Sequence, residues 1–393
     1  MRKNIVLMNI LVAFFWMSMY SYVPNLPEYA QTLGADAVVL GIIGGVYGIA
    51  QIVLRIPIGI ISDKTGKNRL MLVVGSAVLA ASCGILMLAD NTGLIIFGRL
   101  IAGAAAAWWV IQSATYAHYH RDEKQVKAQG ILSASANWGK LAAALIGGLA
   151  AQFLGLRSIF VFSFFIAVAS LFLVIGIKDI PKKEHEAGVN AKNTRGQVLQ
   201  DLLLLFRNRD LMLFSLLAIL SNILCFAAPI LFTAVAAKDL GASSLELGML
   251  NLMFYLMAGL TSLFVGTGVY RKMGGINALS IAFLITAVSC VPLFYHANLA
   301  SLYLMQALSG VGFGVTGSAV AGMVIRAVRP DQRATATGIF QSLFGIGIFI
   351  GPVMVGSITK ALSFDAAYWT LVAVGVVSAV LCYGLIPKKY DKM

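Results

Sequence analysis

Twelve long apolar stretches constrain the fold of this chain more than any other feature of its sequence. Each has about the 20 mostly apolar residues that a helix needs to cross a bilayer. A helix is expected because backbone inside a bilayer must satisfy its own hydrogen bonds, and an α-helix does so within one segment. We therefore predict an all-α integral membrane protein. The segments lie near residues 5–27, 38–61, 69–90, 92–118, 128–153, 156–178, 209–236, 245–268, 276–296, 298–325, 333–360 and 364–387.

The composition agrees with a membrane protein. Hydrophobic residues make up 59% of the 393 residues and charged residues 11%, whereas a water-soluble domain has about a quarter charged residues. The segments leave no room for a separate soluble domain. The first segment does not resemble a cleavable signal, because Pro24, Pro27 and Glu28 close it and no small-residue cleavage site follows. An ordinary cytosolic enzyme is therefore excluded.

The excess of positive charge indicates the orientation of the chain. A formal net charge of +13 would by itself suggest a nucleic-acid partner. However, if the loops alternate between the two sides, 23 of the 29 Lys and Arg residues fall on the side of both termini. Basic loops mark the cytoplasmic side. We expect a multi-pass protein of the inner or plasma membrane with both termini in the cytoplasm, and no nucleic-acid partner.

An enzyme embedded in the membrane is the main alternative to a transporter. It would need a cluster of His, Asp or Cys at membrane depth, and the sequence shows none. The cysteines lie in apolar segments without metal-ligand spacing, as small buried hydrophobic residues do. No phosphate-binding loop of the type G-x-x-x-x-G-K-[ST] is present. We expect no enzymatic activity, no metal and no cofactor. The cysteines are Cys83, Cys225, Cys290 and Cys382.

A polar stretch from about Asp179 to Asp210 divides the segments into two sets of six. We predict a first six-helix bundle over residues 1–180, a cytoplasmic linker over 181–208 and a second six-helix bundle over 209–393. Within the linker, QVLQDLLLLF has the pattern of an amphipathic helix on the membrane surface.

The two halves repeat at an offset of about 207 residues. Several matches at nearly one offset, each at the same place in its half, indicate a duplication. Transporters built from two parallel repeats bind substrate between the halves, near the middle of the bilayer. The aligned pairs are Gly59 and Gly266, Lys64 and Arg271, Arg99 and Gln306, Gly103 and Gly310, Gly139 and Gly347, and Gly148 and Gly356.

The loop between segments two and three reads GIISDKTGKNR, from Gly59 to Arg69. Gly59 is expected to let two helices approach closely, and Gly66 to permit a tight turn. Asp63 lies at a helix end. The basic residues expected to hold the loop on the cytoplasmic side are Lys64, Lys67 and Arg69.

This loop resembles the signature G-x-x-[AS]-D-[KR]-x-G-[KR]-x-[KR] of the major facilitator superfamily. The six-plus-six plan and the repeated halves agree, so the resemblance covers the whole chain and is greatest to the twelve-helix, proton-coupled antiporters of drugs and solutes. It implies two pseudo-symmetric six-helix bundles and a gating loop, in which Asp63 pairs with a neighbouring bundle in the outward-facing state. An ordinary topology-setting loop is the alternative. The second-half copy, GTGVYRKMGG, has Tyr270 at the Asp position.

Segment four begins GRLIAGAAAAWW, in which Arg99 and Gly103 resemble an R-x-x-x-G element that this family often uses in proton coupling. An Arg inside a membrane helix costs about 2.5 kcal/mol or more unless it faces a cavity or a partner. Snorkelling to the outer interface is the alternative. Segment five departs from the G-P-x-x-G-G element of the exporters, because it has Ala144 where the second half has Pro352.

Charges inside the membrane point to two further residues. Lys140 is about twelve residues into segment five, roughly 18 Å from its start, so we expect it near the midplane and facing a cavity. Glu28, at the outer end of segment one, is the carboxylate available to Arg99. We hypothesise that Glu28 exchanges a proton as it pairs with and separates from Arg99. The alternative is a solvated charge at a helix end.

Polar and aromatic side chains within the segments are expected to line the substrate cavity, because amides in hydrocarbon need partners. Some of them are expected to be helix–helix contacts instead. The candidates are Trp16, Tyr20, Trp108, Trp109, Gln112, Asn137, Asn222, Asn251, Tyr255, Gln306 and Gln341, together with Lys140.

The sequence thus predicts a secondary active transporter that works by alternating access, with lipid, a small-molecule substrate and protons as its partners, and with a monomeric state. Proton-coupled export of amphipathic small molecules is the main interpretation. The alternative is transport of an anionic solute or lipid headgroup through Arg99 and Lys140, since no carboxylate lies near the midplane. A channel is a further alternative, which saturable, gradient-driven accumulation would exclude.

Overall fold

The computed structural model describes residues 2–65, 67–119, 125–177, 204–265, 272–329 and 333–391, and these ranges contain helices and no β-strand. The first half contains α1 (Arg2–Tyr20), α2 (Leu26–Thr32), α3 (Ala37–Thr65), α4 (Asn68–Leu88), α5 (Thr92–Ala107), α6 (Trp109–His118), α7 (Gln125–Leu154) and α8 (Ser158–Ile175). The second half contains α9 (Arg209–Ala227), α10 (Thr233–Asp239), α11 (Ser244–Phe264), α12 (Gly275–Ser289), α13 (Leu299–Arg326), α14 (Arg333–Ala361) and α15 (Phe364–Leu385).

The predicted all-α membrane architecture is confirmed. Ten helical stretches among the described residues are long and apolar enough to cross a membrane. The other two predicted segments are helical as well. One is α7, which is 30 residues long and contains Lys140, and the other is α12, which is apolar but only 15 residues long.

Side-chain caps explain where several helices begin. The Asn91 side chain accepts a hydrogen bond from the Leu94 N–H before α5, and Asn298 caps α13 in the same way. Ser243 and Glu246 form a capping box at the start of α11. Such caps satisfy backbone N–H groups that have no partner inside the helix.

Two predicted segment ends are wrong, and proline explains both. Segment one was expected to run to residue 27, but α1 ends at Tyr20 and Pro27 lies in the first turn of α2, where its missing N–H is not needed. Segment nine was expected to reach residue 296, but α12 ends at Ser289 and a short 3₁₀ turn, Pro292–Tyr295, follows.

The two ends of the bundle can be distinguished by their contacts. At one end, Asp210 in the first turn of α9 pairs with Lys389 after α15 (2.6 Å), and Arg69 at the start of α4 donates to the Ile175 carbonyl at the end of α8. The chain begins and finishes there, and we call it the terminal end. The opposite end, where α3 and α11 begin, is the distal end.

The duplication inferred from the sequence is visible in the helices and their contacts. The first residues of α1, α3, α4 and α5 are each 207 positions before those of α9, α11, α12 and α13. Equivalent glycines also allow equivalent close approaches. A Cβ on Gly103 would meet the Tyr47 carbonyl, and one on Gly310 would meet the Phe254 carbonyl.

Two helix pairs hold the halves together and determine where a site between them lies. α3 packs along α14, and α7 packs along α11. A Cβ on Gly41 would meet the Pro352 carbonyl, and one on Gly248 would meet the Ala144 carbonyl. These contacts lie toward the distal end, so the halves are closed against each other there.

Parts of three predictions lie outside the described residues. They are most of the linker 181–208 with its amphipathic segment, the Tyr270 loop of the second half, and Gly66 of the first-half loop.

Candidate functional site

Lys140 lies at the centre of the bundle and is surrounded by aromatic rings. It is the sixteenth of the 30 residues of α7. Its Nζ is 4.6 Å from the centroid of the Trp16 ring, 4.9 Å from Tyr20 and 5.8 Å from Tyr255. Each ring is within the range in which a cation is attracted to an aromatic face. We call Trp16, Tyr20 and Tyr255 the aromatic cage.

The cage spans the boundary between the two halves. Trp16 and Tyr20 belong to α1 and Tyr255 to α11, and the Tyr20 and Tyr255 rings meet edge to face at 5.6 Å between centroids. No carboxylate in the described part of the chain pairs with the Lys140 ammonium. The cage therefore holds an uncompensated cation between two halves that must separate for any solute to pass.

The structure places two of the predicted cavity-lining tryptophans in different surroundings. Trp108 was expected to line the site, but its ring lies where a Cβ on Gly75 of α4 would be. It therefore packs inside the first half. Trp109 instead meets Trp16 edge to face at 5.7 Å. Adjacent residues on a helix point about 100° apart, so the two neighbouring tryptophans cannot both face Trp16.

Arg99 occupies a second buried position next to the cage. Its guanidinium lies over the Tyr47 ring at 4.6 Å, its Nε donates to the Ile43 carbonyl (3.3 Å), and its Nη1 donates to the Tyr22 hydroxyl (3.4 Å). The residue is 5% exposed. The snorkelling alternative is therefore wrong in this conformation, because Arg99 points inward to aromatic and carbonyl groups.

A small cavity lies beside Arg99 at the boundary between the halves. Its size, about 10 Å³, is room for about one water molecule. Both halves contribute to its walls. The lining residues are Met19, Tyr20, Val23, Tyr47, Arg99, Phe226 and Ile230. Because Tyr20 belongs to the cage as well, the Lys140 and Arg99 positions share a wall.

The expected Glu28–Arg99 pair is not present in this conformation. The Glu28 carboxylate instead pairs with Lys238 of α10 (2.8 Å) and accepts a hydrogen bond from Ser244 of α11 (3.3 Å). Glu28 lies on α2, a separate helix that the break after Tyr20 directs toward the second half. The carboxylate thus joins the halves at the distal end.

A second ion pair joins the halves at the same end. Asp36 precedes α3 and contacts Lys360 of α14 at 2.7 Å. The hydrogen bond from Lys360 holds the pKa of Asp36 below its usual range. We call the Glu28–Lys238 and Asp36–Lys360 pairs the distal latch.

Arg55 is a site residue that sequence reasoning missed. It lies on α3 with its side chain over the Phe344 ring at 4.7 Å. Its Nη1 donates to the Gln341 carbonyl of α14 (2.9 Å), and its Nη2 donates to Gln51 (2.5 Å). This cation therefore links the halves between the cage and the terminal end. The available signal was a charge inside an apolar segment.

The predicted amides do not act as one group. Gln341 accepts from Arg55, and Gln306 donates to the Pro229 carbonyl in the π-helical segment Ala228–Phe232. Asn222 and Asn251 donate to carbonyls one turn back in their own helices. Gln112 is buried, and Asn137 is half-buried.

The structure places part of the predicted gating loop. A Cβ on Gly59 would lie 3.7 Å from the Val110 side chain, an ordinary contact, so the expected close helix approach at Gly59 is wrong. Asp63 and Lys64 belong to the last turns of α3, and their side chains lie outside the described residues. Lys67 is exposed, and Arg69 fastens α4 to α8.

The site is suited to binding rather than to bond chemistry. It presents aromatic faces, the buried cation Arg99, the half-buried cation Lys140 and a dividing surface between the halves. The described residues include no group of three His, Cys, Asp or Glu that would hold a metal ion. All four cysteines are buried and free.

Comparison with known proteins agrees with this architecture. The family model described as Major Facilitator Superfamily matches residues 8–236 and 216–392. Inner membrane transport protein YajR of Escherichia coli (strain K12) is 25% identical to this chain, with 85% of this chain and 72% of that protein covered. Quinolone resistance protein NorB of Staphylococcus aureus (strain COL) is 23% identical, with 96% and 94% covered.

A solved structure shows the same fold. A point variant of the nucleoside transporter NupG superposes with a TM-score of 0.81, covering 98% of this chain and 100% of that one. The two sequences are 16% identical, so the similarity concerns the fold and does not extend to the solute.

Proposed function

This chain belongs to the Major Facilitator Superfamily and is a multi-pass secondary transporter, and on that premise we propose that it exports amphipathic small molecules in exchange for protons. The observation that carries the proposal is the aromatic cage between the halves. Flat aromatic faces bind the apolar part of a solute, and a site between two rocking halves can open to either side.

The contacts between the halves support alternating access. In this conformation α3 and α14 touch from the distal end as far as Arg55 and Gln341, and the distal latch adds two ion pairs. Separating the halves at the distal end requires that these contacts break. We propose that the loop containing Asp63 stabilises the opposite arrangement, in which the terminal end is closed.

Export is the direction that the relatives support. NorB is named a quinolone resistance protein, and resistance agrees with removal of a small molecule from the cell. For this chain we propose a cytoplasmic terminal end, as the distribution of Lys and Arg indicates, and hence a path from the terminal to the distal end.

Proton coupling is proposed to involve Arg99, Gly103 and Glu28. Arg99 is held by uncharged groups in this conformation, and Glu28 by Lys238. A rearrangement that opens the distal end would break the Glu28–Lys238 pair and leave Glu28 able to pair with Arg99. The coupling group then differs between the two states, as exchange requires.

The direct test is transport in proteoliposomes with an imposed pH gradient. Vesicles loaded with an amphipathic fluorescent solute should lose or gain it according to the sign of the gradient, and a protonophore should abolish the effect. Solute movement that is linear in concentration and insensitive to the gradient would overturn the proposal and favour a channel.

A specific observation favours a second candidate, transport of an anionic solute. Lys140 and Arg99 both lie close to Tyr20, and the described residues place no carboxylate with either of them. Two cations in an apolar region, one buried and one half-buried, attract an anion. Saturable, Lys140-dependent transport of an organic anion in the same vesicles would establish this alternative.

A further inference from the structure

We propose that Lys140 is a tethered cation that competes with a cationic substrate for the aromatic cage. The proposal rests on the function proposed above and specifies its substrate class, lipophilic organic cations. It also makes Lys140 the group in the cage that loses its proton when the substrate cation enters, next to the coupling residues proposed above.

The first step of the argument is the chemistry of the cage. Three rings surround one ammonium at 4.6, 4.9 and 5.8 Å. Aromatic faces arranged around a point are the usual means of binding quaternary ammonium groups, which cannot donate hydrogen bonds. The cage is therefore already a cation site, and in this conformation a side chain of the protein occupies it.

The second step is the charge of the site. Lys140 is half-buried, and an ammonium withdrawn from water without a carboxylate is costly, a cost that the cage offsets only in part. If a monovalent organic cation enters while Lys140 loses its proton and withdraws, the net charge of the site is unchanged. A cation can thus bind beside Arg99 without a midplane carboxylate.

The third step is the geometry of the two halves. Trp16 and Tyr20 belong to the first half and Tyr255 to the second. A cation in the cage attracts rings of both halves and favours their contact, whereas an empty cage does not. Either cation, ammonium or substrate, permits the closed arrangement, so the protein is expected to change state with one of them bound.

Other titratable groups also face Lys140. They are Tyr20 of α1, Tyr255 of α11 and Cys225 of α9, and Arg99 lies beyond the Tyr20 ring. None of the three facing groups is ordinarily charged near pH 7. The ammonium is therefore the member of this set whose protonation the competition requires.

Two probes of the same shape and opposite charge test the proposal: tetraphenylphosphonium and tetraphenylborate. Their binding to the purified full-length protein is measured between about pH 6 and pH 9, the range below the ordinary pKa of a lysine. Proton release is recorded in weak buffer. The variants are Lys140→Met, which removes the ammonium, Trp16→Leu, which removes one ring, and Trp16→Phe, which keeps a ring.

The wild-type protein should bind the phosphonium more tightly as pH rises, by up to about tenfold per pH unit, with release of about one proton, because two ligands that exclude each other weaken each other equally. Lys140→Met should bind it tightly at every pH and release no proton. Trp16→Leu should bind the phosphonium about tenfold more weakly, since the loss of one cation–π contact lowers the affinity by about that factor. Trp16→Phe should retain most of the affinity.

The matched control is Trp138→Leu. Trp138 is on the same helix as Lys140, and it is 70% exposed on the outer surface of the bundle. This variant should bind both probes as the wild type does. Weaker phosphonium binding by the Trp138→Leu variant would show that the loss of a tryptophan acts through general destabilisation, and it would overturn the assignment to the cage.

Three other results would also overturn the inference. They are phosphonium binding that is independent of pH in the wild type, tetraphenylborate binding that Lys140→Met abolishes, and no binding of either probe. Proton-driven transport of another solute in proteoliposomes would then leave the proposed function in place. Conversely, proton-linked phosphonium binding without any proton-driven transport would leave the cage assignment and remove the transport proposal.

Discussion

At the scale of single residues, what a side chain does here depends on which helix face it occupies. Trp108 and Trp109 are adjacent in sequence, yet one packs on Gly75 and the other on Trp16. Lys140 and Arg99 are both cations in apolar helices, and both are held by aromatic faces. Neither pairs with a carboxylate among the described residues, so uncharged groups hold both cations.

Arg99→Lys should uncouple transport from the proton gradient while leaving the protein folded. Arginine donates from two different nitrogens to the Ile43 carbonyl and the Tyr22 hydroxyl, and a lysine ammonium cannot reproduce that fork. Loss of one hydrogen bond to a charged group, about 1.5–3 kcal/mol, predicts at least about a tenfold lower rate of gradient-driven transport.

The control for this variant is Arg157→Lys, since Arg157 is exposed at the distal end. Its transport should match the wild type in the same vesicles. Equal rates for Arg99→Lys and the wild type would show that the guanidinium of Arg99 has no role in coupling.

Gly103→Ala should destabilise the protein. A Cβ there would meet the Tyr47 carbonyl, and overpacking in a close contact costs about 1–3 kcal/mol. The melting temperature of the protein in detergent should fall. Gly259→Ala is the matched control, because a Cβ on Gly259 has no neighbour within 4 Å and alanine is the better helix former by about 1 kcal/mol. A lower melting temperature for the control alone would contradict the packing argument.

At the scale of helices, the distal latch and the α3–α14 contact stabilise the conformation closed at the distal end. The two ion pairs differ in burial. Side-chain exposure is 18% for Glu28 and 30% for Lys238, against 45% for Asp36 and 62% for Lys360. Exposed pairs contribute little because water and salt screen them, so the Glu28 pair should contribute more to the closed state.

Glu28→Gln should therefore open the distal end more than Asp36→Asn does. The measurement is the distance between spin labels on cysteines placed at Gln31 and Leu362, which are exposed in different halves. The native cysteines are buried and should not take up label. A larger shift in the Asp36→Asn variant would show that burial does not determine the strength of the latch.

The Asp36 pair should also respond to pH. The pKa of Asp36 in the closed state lies below its ordinary value of 3.8, so the pair contributes to closure above that value and is lost as pH falls through the lowered pKa. Below about pH 4 the same spin labels should report more of the distal-open state. An Asp36→Asn variant should lack this part of the response, and an unchanged response in that variant would assign it to other groups.

At the scale of the whole molecule, the duplicated helix order and the contacts along α3–α14 and α7–α11 create a binding region that neither half contains alone. The cage needs rings from both halves, and so does the cavity beside Arg99. A two-part site of this kind couples solute binding to the relative position of the halves, which is the requirement for alternating access.

The terminal end of the bundle, which holds the N- and C-termini, should face the cytoplasm. Single cysteines are placed at Lys388, on the terminal end, and at Gln31, on the distal end, because both positions are exposed. In sealed right-side-out vesicles a membrane-impermeant maleimide should label the Gln31 position and not the Lys388 position. The reverse pattern would invert the orientation and, with it, the proposed direction of transport.

The sequence by itself determined the class of fold, the number of crossing segments, the duplication and the family. These follow from local properties, since apolar length, loop composition and a repeated offset can be read without knowing any contact. The sequence also predicts Lys140, Trp16, Tyr20 and Tyr255 as site residues, because a charged or amphipathic side chain in an apolar segment is costly unless it faces a cavity or a partner.

Only the tertiary structure decided which of these residues meet. The rotation of each helix about its axis determines whether Trp108 or Trp109 faces Trp16, and the break after Tyr20 determines that Glu28 reaches Lys238 instead of Arg99. Arg55 became a link to Gln341 only once α3 lay along α14. Such partners are separated by many residues in the chain, and their contact depends on packing between helices that hydrophobic length leaves undetermined.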